Sequence, residues 1–313
     1  MKKDLIVVAL GGNMILQRGQ KGSFEEQMEN MSKAAKIIAD LYEMGYDLVL
    51  TSGNGPQVGN ILAQQNYEDA PAMPLYVCGA MSQGQIGYMI MMTVEKEFIR
   101  RNKNIRVVTL CTRVVVDAND PAFQNPTKPI GRFYSKEQAE EFNKAGRGPY
   151  RDDAGRGYRL FVASPRPLEI VEKEEILRIA ESGSLVYSVG GGGIPVIRKE
   201  DGSLEGAVAV IDKDRASAVL ASQIGAKILM ILTDVPNAYL NYGKENQEPL
   251  GEITLALAMQ YYDEGHFIKG SMGPKIEAGI KFVKETQGVA IITNPENAIL
   301  ALQGKAGTRI VSG

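Results

Sequence analysis

Histidine, cysteine and tryptophan are the scarce residues here: the 313-residue chain has one, two and none of them. A single histidine excludes histidine metal clusters and leaves His266 as the one imidazole available to a nucleophilic triad. It lies in DEGHFIKG, which reads as a loop, so His266 is expected at the surface. Cys78 and Cys111 form no C-x-x-C pair, which indicates neither a thiolate metal site nor a disulfide framework. Basic runs are missing too. With 35 Lys+Arg against 37 Asp+Glu the net charge is −2, and no aromatic-basic interleaving supports nucleic-acid binding. No apolar run approaches the roughly twenty residues of a membrane helix. The start, MKKDLIVVALGGN, carries an apolar run of only about seven residues, approached through Asp4 and followed by a glycine turn instead of a cleavage site. A cytoplasmic protein is expected, with no membrane or nucleic-acid partner. Its chemistry must rest on lysine, carboxylate, backbone N–H and hydroxyl groups.

What is present is an α/β pattern. Hydrophobic residues make up 44% of the chain, enough for one large domain or two lobes. The run DLIVVAL (4–10) reads as a buried strand ending at Gly11-Gly12. Ser23 and Glu26 form a capping box, behind which Met28, Met31, Ala35, Ile38 and Leu41 recur at helical spacing. Strand YDLVLT (46–51), the turn SGNGPQVG and a helix follow. A long helix from Gln83 to Arg101 leads to strands around RVVTLCT (106–112) and VVVD (114–117). Further strands are expected at LVYSV (185–189), IPVI (194–197), AVI (209–211), KILMILTD (227–234), VAIIT (289–293) and TRIV (308–311), with a helix from Gly273. This alternation implies a mainly parallel sheet with helices on both faces. The segment 118–162 departs from it. Rich in Pro, Gly and charge, it is too long for a bare connection, and its aromatics favour a small ordered projection.

Three glycine-rich turns share one layout: Gly11-Gly12-Asn13, Gly53-Asn54-Gly55 and Gly190 to Gly193 each follow a strand. In a parallel sheet such turns line one edge, where ligands bind. Glycines there let backbone N–H groups approach an anion, aided by the helix dipole. Neither a P-loop nor a dinucleotide fingerprint is present. Positive charge must come from separate lysines: Lys128 in TKPIG, Lys213 in DKD and Lys275 in GSMGPK. Each has a rigid or acid-flanked setting. In AVIDKDRAS, Asp212 or Asp214 can cap a helix, and Asp214 can aim a lysine.

Longer motifs carry a resemblance. GGN (11–13), SGNGPQVG (52–59), AMSQGQIGY (80–88), VVVDANDPAFQNPTKPIGRFYS (114–135) and DAGRGYR (153–159) resemble the carbamate kinases. So do GGGGIPV (190–196), AVIDKDRASA (209–218), TDVPNAYLNYGK (233–244), GSMGPKIEAGIKF (270–282) and GKAGTRI (304–310). The match runs end to end in one order. Two departures stand out: the first strand carries no lysine before its glycines, as other branches of the superfamily do, and Met14 stands where a small residue is common.

The resemblance implies the amino acid kinase fold, an α/β class with an open three-layer α/β/α sandwich, a mainly parallel sheet, two lobes and a small protruding subdomain. Residues 1–210, including the projection at 118–162, would hold carbamate or carbamoyl phosphate, and residues 211–313 the nucleotide. It implies reversible phosphoryl transfer between carbamoyl phosphate and MgADP, ATP-forming in arginine catabolism, by a homodimer. The substrate would lie at Gly11, Gly12, Asn13, Gly53 and Asn54, with Lys128 brought onto the transferring group. Lys213 and Lys275 would bridge the nucleotide phosphates, held by Asp214, with Asp234, Tyr239 and Met272 near the nucleoside. Mg2+ would arrive with ATP or ADP, with no protein metal site. The alternatives are another kinase of the superfamily, acting on a different carboxylate or a nucleotide, and a non-catalytic sensor of nucleotide or carbamoyl phosphate.

Overall fold

Alternate residues of strand β1 (Leu5–Leu10) enter two different cores. Leu5, Val7 and Ala9 join one apolar cluster, and Ile6, Val8 and Leu10 the other. Side chains of a strand alternate between its faces, so a strand apolar at every position must be covered on both. The computed structural model describes residues 3–17, 19–65, 71–153, 155–268 and 270–313. Ala154 of the DAGRGYR motif and Lys269 of DEGHFIKG lie outside them.

From β1 the chain runs through α1 (Phe24–Glu43), β2 (Asp47–Ser52), α2 (Gly55–Gln64) and α3 (Leu75–Arg100) to β3 (Val107–Thr109) and β4 (Arg113–Val116). The capping box at Ser23 and Glu26 is formed as expected. Helix α3 starts at Leu75, directly after Pro74, and not at Gln83. The missed turns, residues 75–82, contain Gly79 and have no side-chain cap before them. Gly87 is there for space, since a Cβ would lie 2.2 Å from the Thr109 side chain of β3.

The segment 118–162 is ordered: β5 (Lys128–Tyr134), α4 (Lys136–Lys144), β6 (Tyr150–Asp152) and β7 (Tyr158–Val162). Its three strands form a separate antiparallel sheet. Ile130 and Val162 bury against Val58 of α2 and Leu75 and Cys78 of α3, which seats the projection on the body.

β8 (Pro167–Ile170), α5 (Lys173–Glu181), β9 (Leu185–Tyr187), β10 (Ile194–Arg198) and β11 (Leu204–Gly206) lead to α6 (Lys213–Gln223). The expected strand at 209–211 is not one. Ala209, Val210 and Ile211 are buried in extended connecting chain outside any sheet ladder. The last stretch comprises β12 (Ile228–Leu232), the ribbon β13 (Tyr239–Leu240) and β14 (Glu248–Pro249), β15 (Glu252–Thr254), α7 (Leu255–Asp263), α8 (Met272–Thr286), β16 (Val289–Thr293), α9 (Ala298–Leu302) and β17 (Thr308–Val311).

Eight strands form the central sheet in the order β15-β17-β16-β12-β1-β2-β9-β3. Six run parallel, and β17 and β15 run the other way. Helices α1, α3 and α9 pack on one face and α5, α6 and α8 on the other, giving three layers. Strands β1, β2 and β9 are neighbours, so the three glycine turns lie side by side along one edge. A smaller sheet, β11-β10-β4-β8, flanks the body. None of the described helices is long and apolar enough to cross a membrane.

Candidate active site

The turn after β9 needs its glycines for both conformation and space. Gly191, Gly192 and Gly193 have φ of 65°, 88° and 90°. A Cβ on Gly191 would lie 2.1 Å from Asn54 Nδ2 of the neighbouring turn, so the two loops close on each other only without one. Val189, just before them, holds φ 51°, an unfavourable place for a β-branched residue and one that packing must impose.

Buried polar bonds fix these turns. Gln83 Nε2 donates to Thr112 O (3.1 Å) and Gly190 O (3.0 Å), while Thr112 N–H donates to Gln83 Oε1 (2.8 Å). Asn54 Nδ2 donates to Ser82 Oγ (2.7 Å). The Tyr187 hydroxyl lies 2.8 Å from Ser52 Oγ, and full burial pushes that phenol above its usual range, so it stays protonated. Thr51 Oγ1 and Ser217 Oγ are 2.6 Å apart, which ties β2 to α6.

The DKD motif opens α6. Asp212 is the N-cap: its Oδ1 accepts from the backbone N–H groups of Asp214 (3.0 Å) and Arg215 (3.3 Å). Its other oxygen, Oδ2, accepts from Lys128 Nζ at 2.8 Å. Asp214, 3% exposed, lies between two ammonium groups: Lys213 Nζ is 2.9 Å from Oδ1, and Lys275 Nζ donates to Oδ2 at 3.1 Å. Lys213 Nζ is buried against Asp214 Oδ1 as a close ion pair. The stem of Lys213 runs along Gly53, whose missing Cβ would be 3.4 Å from its Cδ. The sequence-predicted lysines 128, 213 and 275 thus gather on two carboxylates two positions apart, the cap and the first turn of one helix, beside the turn after β2. Lys275, in the first turn of α8, adds a second helix N-terminus to that of α6.

Charge and burial compete in this cluster. Burial opposes ionising Asp212 and Asp214, but the ammoniums outweigh it: Lys128 holds Asp212, and Lys213 with Lys275 hold Asp214, below the usual carboxylate range. Burial also opposes the Lys275 ammonium, yet Asp214 keeps it above an ordinary lysine. Lys213 goes the other way. Its ammonium is buried, and the attraction of Asp214 does not make up the loss, so it lies below an ordinary lysine.

Gly11, Gly12 and Asn13 follow β1 as a tight turn. Asn13 Nδ2 donates to the Asp234 carboxylate across the edge of the sheet. Asp234, Tyr239 and Met272 line a cavity of about 170 Å³ with Tyr242, His266 and Phe267. The Tyr239 and Tyr242 rings lie 5.8 Å apart. His266 is therefore not a free surface residue. It is partly buried, edge-on to Tyr261 at 5.6 Å, and its Nε2 is 3.1 Å from Glu264. The hydrogen-bond role of Asp212 toward Lys128 also escaped sequence reading, because an aspartate before a helix already has a full explanation as a cap. A larger cavity of about 340 Å³ lies on the other flank of Asn13 and Asp234, and no member of the lysine cluster lines it. Among the described residues no three His, Cys, Asp or Glu side chains cluster in a way that could hold a metal ion.

The arrangement is a set of cations held by carboxylates at two helix N-termini, beside the glycine turn after β2; a cavity with aromatic walls is lined by Asp234, Tyr239 and Met272. The chemistry it suits is movement of a phosphoryl group. Comparison with known proteins agrees. The model of the amino acid kinase family matches residues 4–294. The chain is similar to a carbamate kinase of Pyrococcus horikoshii, 50% identical over 311 residues that cover 98% of this chain and 99% of the relative. A carbamate kinase of Trichomonas vaginalis is 49% identical over 310 residues, covering 98% and 99%. Among solved structures, a carbamate kinase from Giardia lamblia bound to AMP-PNP superposes with a TM-score of 0.92 at 46% identity, covering 99% of this chain and 98% of that one.

Proposed function

The chain belongs to the amino acid kinase family, and we propose that within it this protein works as a carbamate kinase, moving the phosphoryl group reversibly between carbamoyl phosphate and ADP. The observation that carries the reading is the convergence of Lys128, Lys213 and Lys275 on Asp212 and Asp214 beside the glycine turns.

In this reading residues 1–210 hold carbamate or carbamoyl phosphate over Gly11, Gly12, Asn13, Gly53 and Asn54. Residues 211–313 hold the nucleotide, its base and ribose against Asp234, Tyr239 and Met272. The carbamate oxygen and the terminal oxygen of ADP approach the phosphoryl group in line, so no covalent enzyme intermediate forms. Lys213 and Lys275 neutralise the nucleotide phosphates, and Lys128 leaves Asp212 to meet the group in flight. Each ammonium about 4 Å from a phosphate oxygen contributes roughly 4 kcal/mol at an effective dielectric near 20. Asp214 takes no proton; it keeps two mutually repelling lysines in place. Magnesium enters as part of the nucleotide substrate, MgADP, with phosphate oxygens and water as its natural ligands.

We place the enzyme in the cytoplasm, forming ATP in arginine catabolism. A second copy of the chain would sit on the row Met81, Tyr88, Met92 and Ile99, which lies exposed along α3 at intervals of about two turns or one. Purified protein given carbamoyl phosphate and MgADP is expected to make ATP, and to leave acetylglutamate, glutamate and UMP unphosphorylated with ATP. Phosphorylation of one of those three, with no ATP from carbamoyl phosphate, overturns the assignment. Tight ADP binding without turnover would make the protein a sensor.

A further inference from the structure

Glu277 stands on α8 two residues after Lys275, half-buried, and gathers side chains from three other segments. Arg215, two residues after Lys213 in the first turn of α6, donates Nε (3.0 Å) and Nη2 (2.7 Å) to Glu277 Oε2. The Tyr262 hydroxyl of α7 donates to the same oxygen at 3.4 Å. Arg166 Nη2 lies 3.1 Å from the other oxygen, Oε1. Arg166 belongs to none of these helices. It is the last residue before β8, where the chain returns from the projecting subdomain. Its backbone N–H donates to Asp120 Oδ2 (2.8 Å) on the outgoing side, so Asp120 and Arg166 close the neck of that subdomain.

The local charges explain why a carboxylate is wanted here. The first turns of α6 and α8 bring together Lys213, Arg215 and Lys275, and each turn adds the positive end of its own helix. Asp214 answers Lys213 and Lys275, and Asp212 answers Lys128, which leaves Arg215. Without a counter-charge Arg215 would push the two turns apart. Bonded to Glu277, it ties α6 to α8 at a point two residues from Lys213 and two from Lys275. A guanidinium fork holds one geometry where a single ammonium would swing.

We propose that Glu277 is a positioning residue for phosphoryl transfer. Acting through Arg215 it fixes the separation of Lys213 and Lys275, and acting through Arg166 it ties that spacing to the neck of the subdomain that carries Lys128. The inference rests on the assignment of Lys213 and Lys275 to the nucleotide phosphates and of Lys128 to the transferring group.

The test compares MgADP with adenosine, which lacks the phosphates, by calorimetry on the whole protein. Glu277→Gln should weaken ADP binding about 2- to 30-fold, the range for a residue that acts on a ligand without touching it, and leave adenosine binding unchanged. A merely structural loss would weaken both alike. Arg215→Lys keeps both charges, and with them the fold, but gives up the two-pronged contact, so it should show the same selective loss to a smaller degree. Arg166→Ala removes an exposed side chain. It should bind ADP as wild type does and form ATP from carbamoyl phosphate about two- to fivefold more slowly, as loss of one ion pair with an exposed partner allows. ADP binding unchanged in Glu277→Gln and Arg215→Lys, or ADP and adenosine weakened equally, would overturn the proposal, and wild-type turnover in Arg166→Ala would overturn its link to the neck. Failure of wild type to form ATP from carbamoyl phosphate would overturn the carbamate kinase reading instead, and the comparison of ADP with adenosine would still decide the role of Glu277.

Discussion

Lys128 and Asp212 stand 84 positions apart in sequence, and a 2.8 Å hydrogen bond joins them while the other oxygen of the same carboxylate caps α6. One side chain therefore starts the helix that carries Lys213 and parks the lysine of the projecting subdomain at its tip. The two roles separate by substitution. Asp212→Asn keeps the cap, since asparagine caps as well as aspartate, but removes the charge that holds Lys128. Its stability should match wild type, whereas Asp212→Ala should lose about 1 kcal/mol. Both should lose turnover by about 10-fold or more, because a misplaced reacting group costs that much. If Asp212→Asn melts normally and turns over at the wild-type rate, Asp212 is a cap and nothing else.

Removing the projecting lysine should split rate from binding. Lys128→Ala is expected to cost about 10²-fold or more in turnover, the usual loss for one transition-state donor. Lys128 bonds Asp212 and not the pair at Asp214, so ADP affinity measured by calorimetry should change only a few-fold. A matching drop in ADP affinity would assign Lys128 to the nucleotide.

Lys213 sets a pH dependence whose sign follows from its burial. Phosphate needs the charged ammonium, and burial holds this lysine below an ordinary one. Its charge is therefore lost at lower pH than usual, and ADP affinity should fall as pH rises through that value. ADP binding on the alkaline side should also take up a proton, visible as a dependence of the measured heat on buffer ionisation enthalpy. Lys213→Arg keeps its charge throughout, so it should bind more weakly at neutral pH yet lose the alkaline decline. The same alkaline profile in both proteins would remove Lys213 as its source.

Asp214 guards two buried cations, so its loss should be felt in both fold and function. Burial opposes its ionisation, and the ammoniums of Lys213 and Lys275 reverse that, holding the carboxyl below its usual range. A depressed carboxylate stabilises the fold above its unfolded pKa and loses that contribution as pH falls toward the folded one. Asp214→Asn should flatten this acid limb of the melting curve and leave two close ammoniums unpaired, at about 3–5 kcal/mol. Unchanged melting between neutral and acid pH in both proteins would contradict the pairing.

Much of this was legible in the chain because local pattern and tertiary demand agreed. VAIIT and TRIV became β16 and β17 at the expected residues, since short apolar runs flanked by glycine and asparagine suit buried strands. The lysines were legible through their setting, not their spacing. Where sequence failed, one local pattern fitted two structures. Ala209–Ile211 is apolar because α6, the smaller sheet and the projection bury it, and such a run carries no mark that separates a strand from a buried connection. The helix of α3 was legible from Gln83 onward, but its first turns follow Pro74 with no side-chain cap and contain Gly79, so its start was not. His266 sits in polar sequence but leans on Tyr261, a contact that depends on how α7 meets the following loop. The bond between Lys128 and Asp212 is long-range, and nothing in either local sequence announces its partner.

The seat of the projecting subdomain gives the most demanding test, because it asks a residue outside the site to control it. At Gly59 of α2 a Cβ would lie 2.0 Å from Gly131 Cα and 2.4 Å from Gly131 N, backbone atoms of β5 that cannot swing aside as a side chain would. Gly131 itself holds φ 75°, so its own conformation also depends on having no side chain. Gly59→Ala must therefore lift β5 from α2 or bend it, at about 1–3 kcal/mol for overpacking. Lys128 begins β5 only three residues earlier and has to move with it. The variant should fold, bind ADP as wild type does, lose turnover, and exchange the amides of β5 and β7 faster. In wild type, nucleotide with substrate should slow that exchange as the subdomain closes over the reactants and keeps water from the labile carbamate. Exchange that is identical with and without ligands would rule out closure, and full turnover in Gly59→Ala would show that the seat on α2 does not position Lys128.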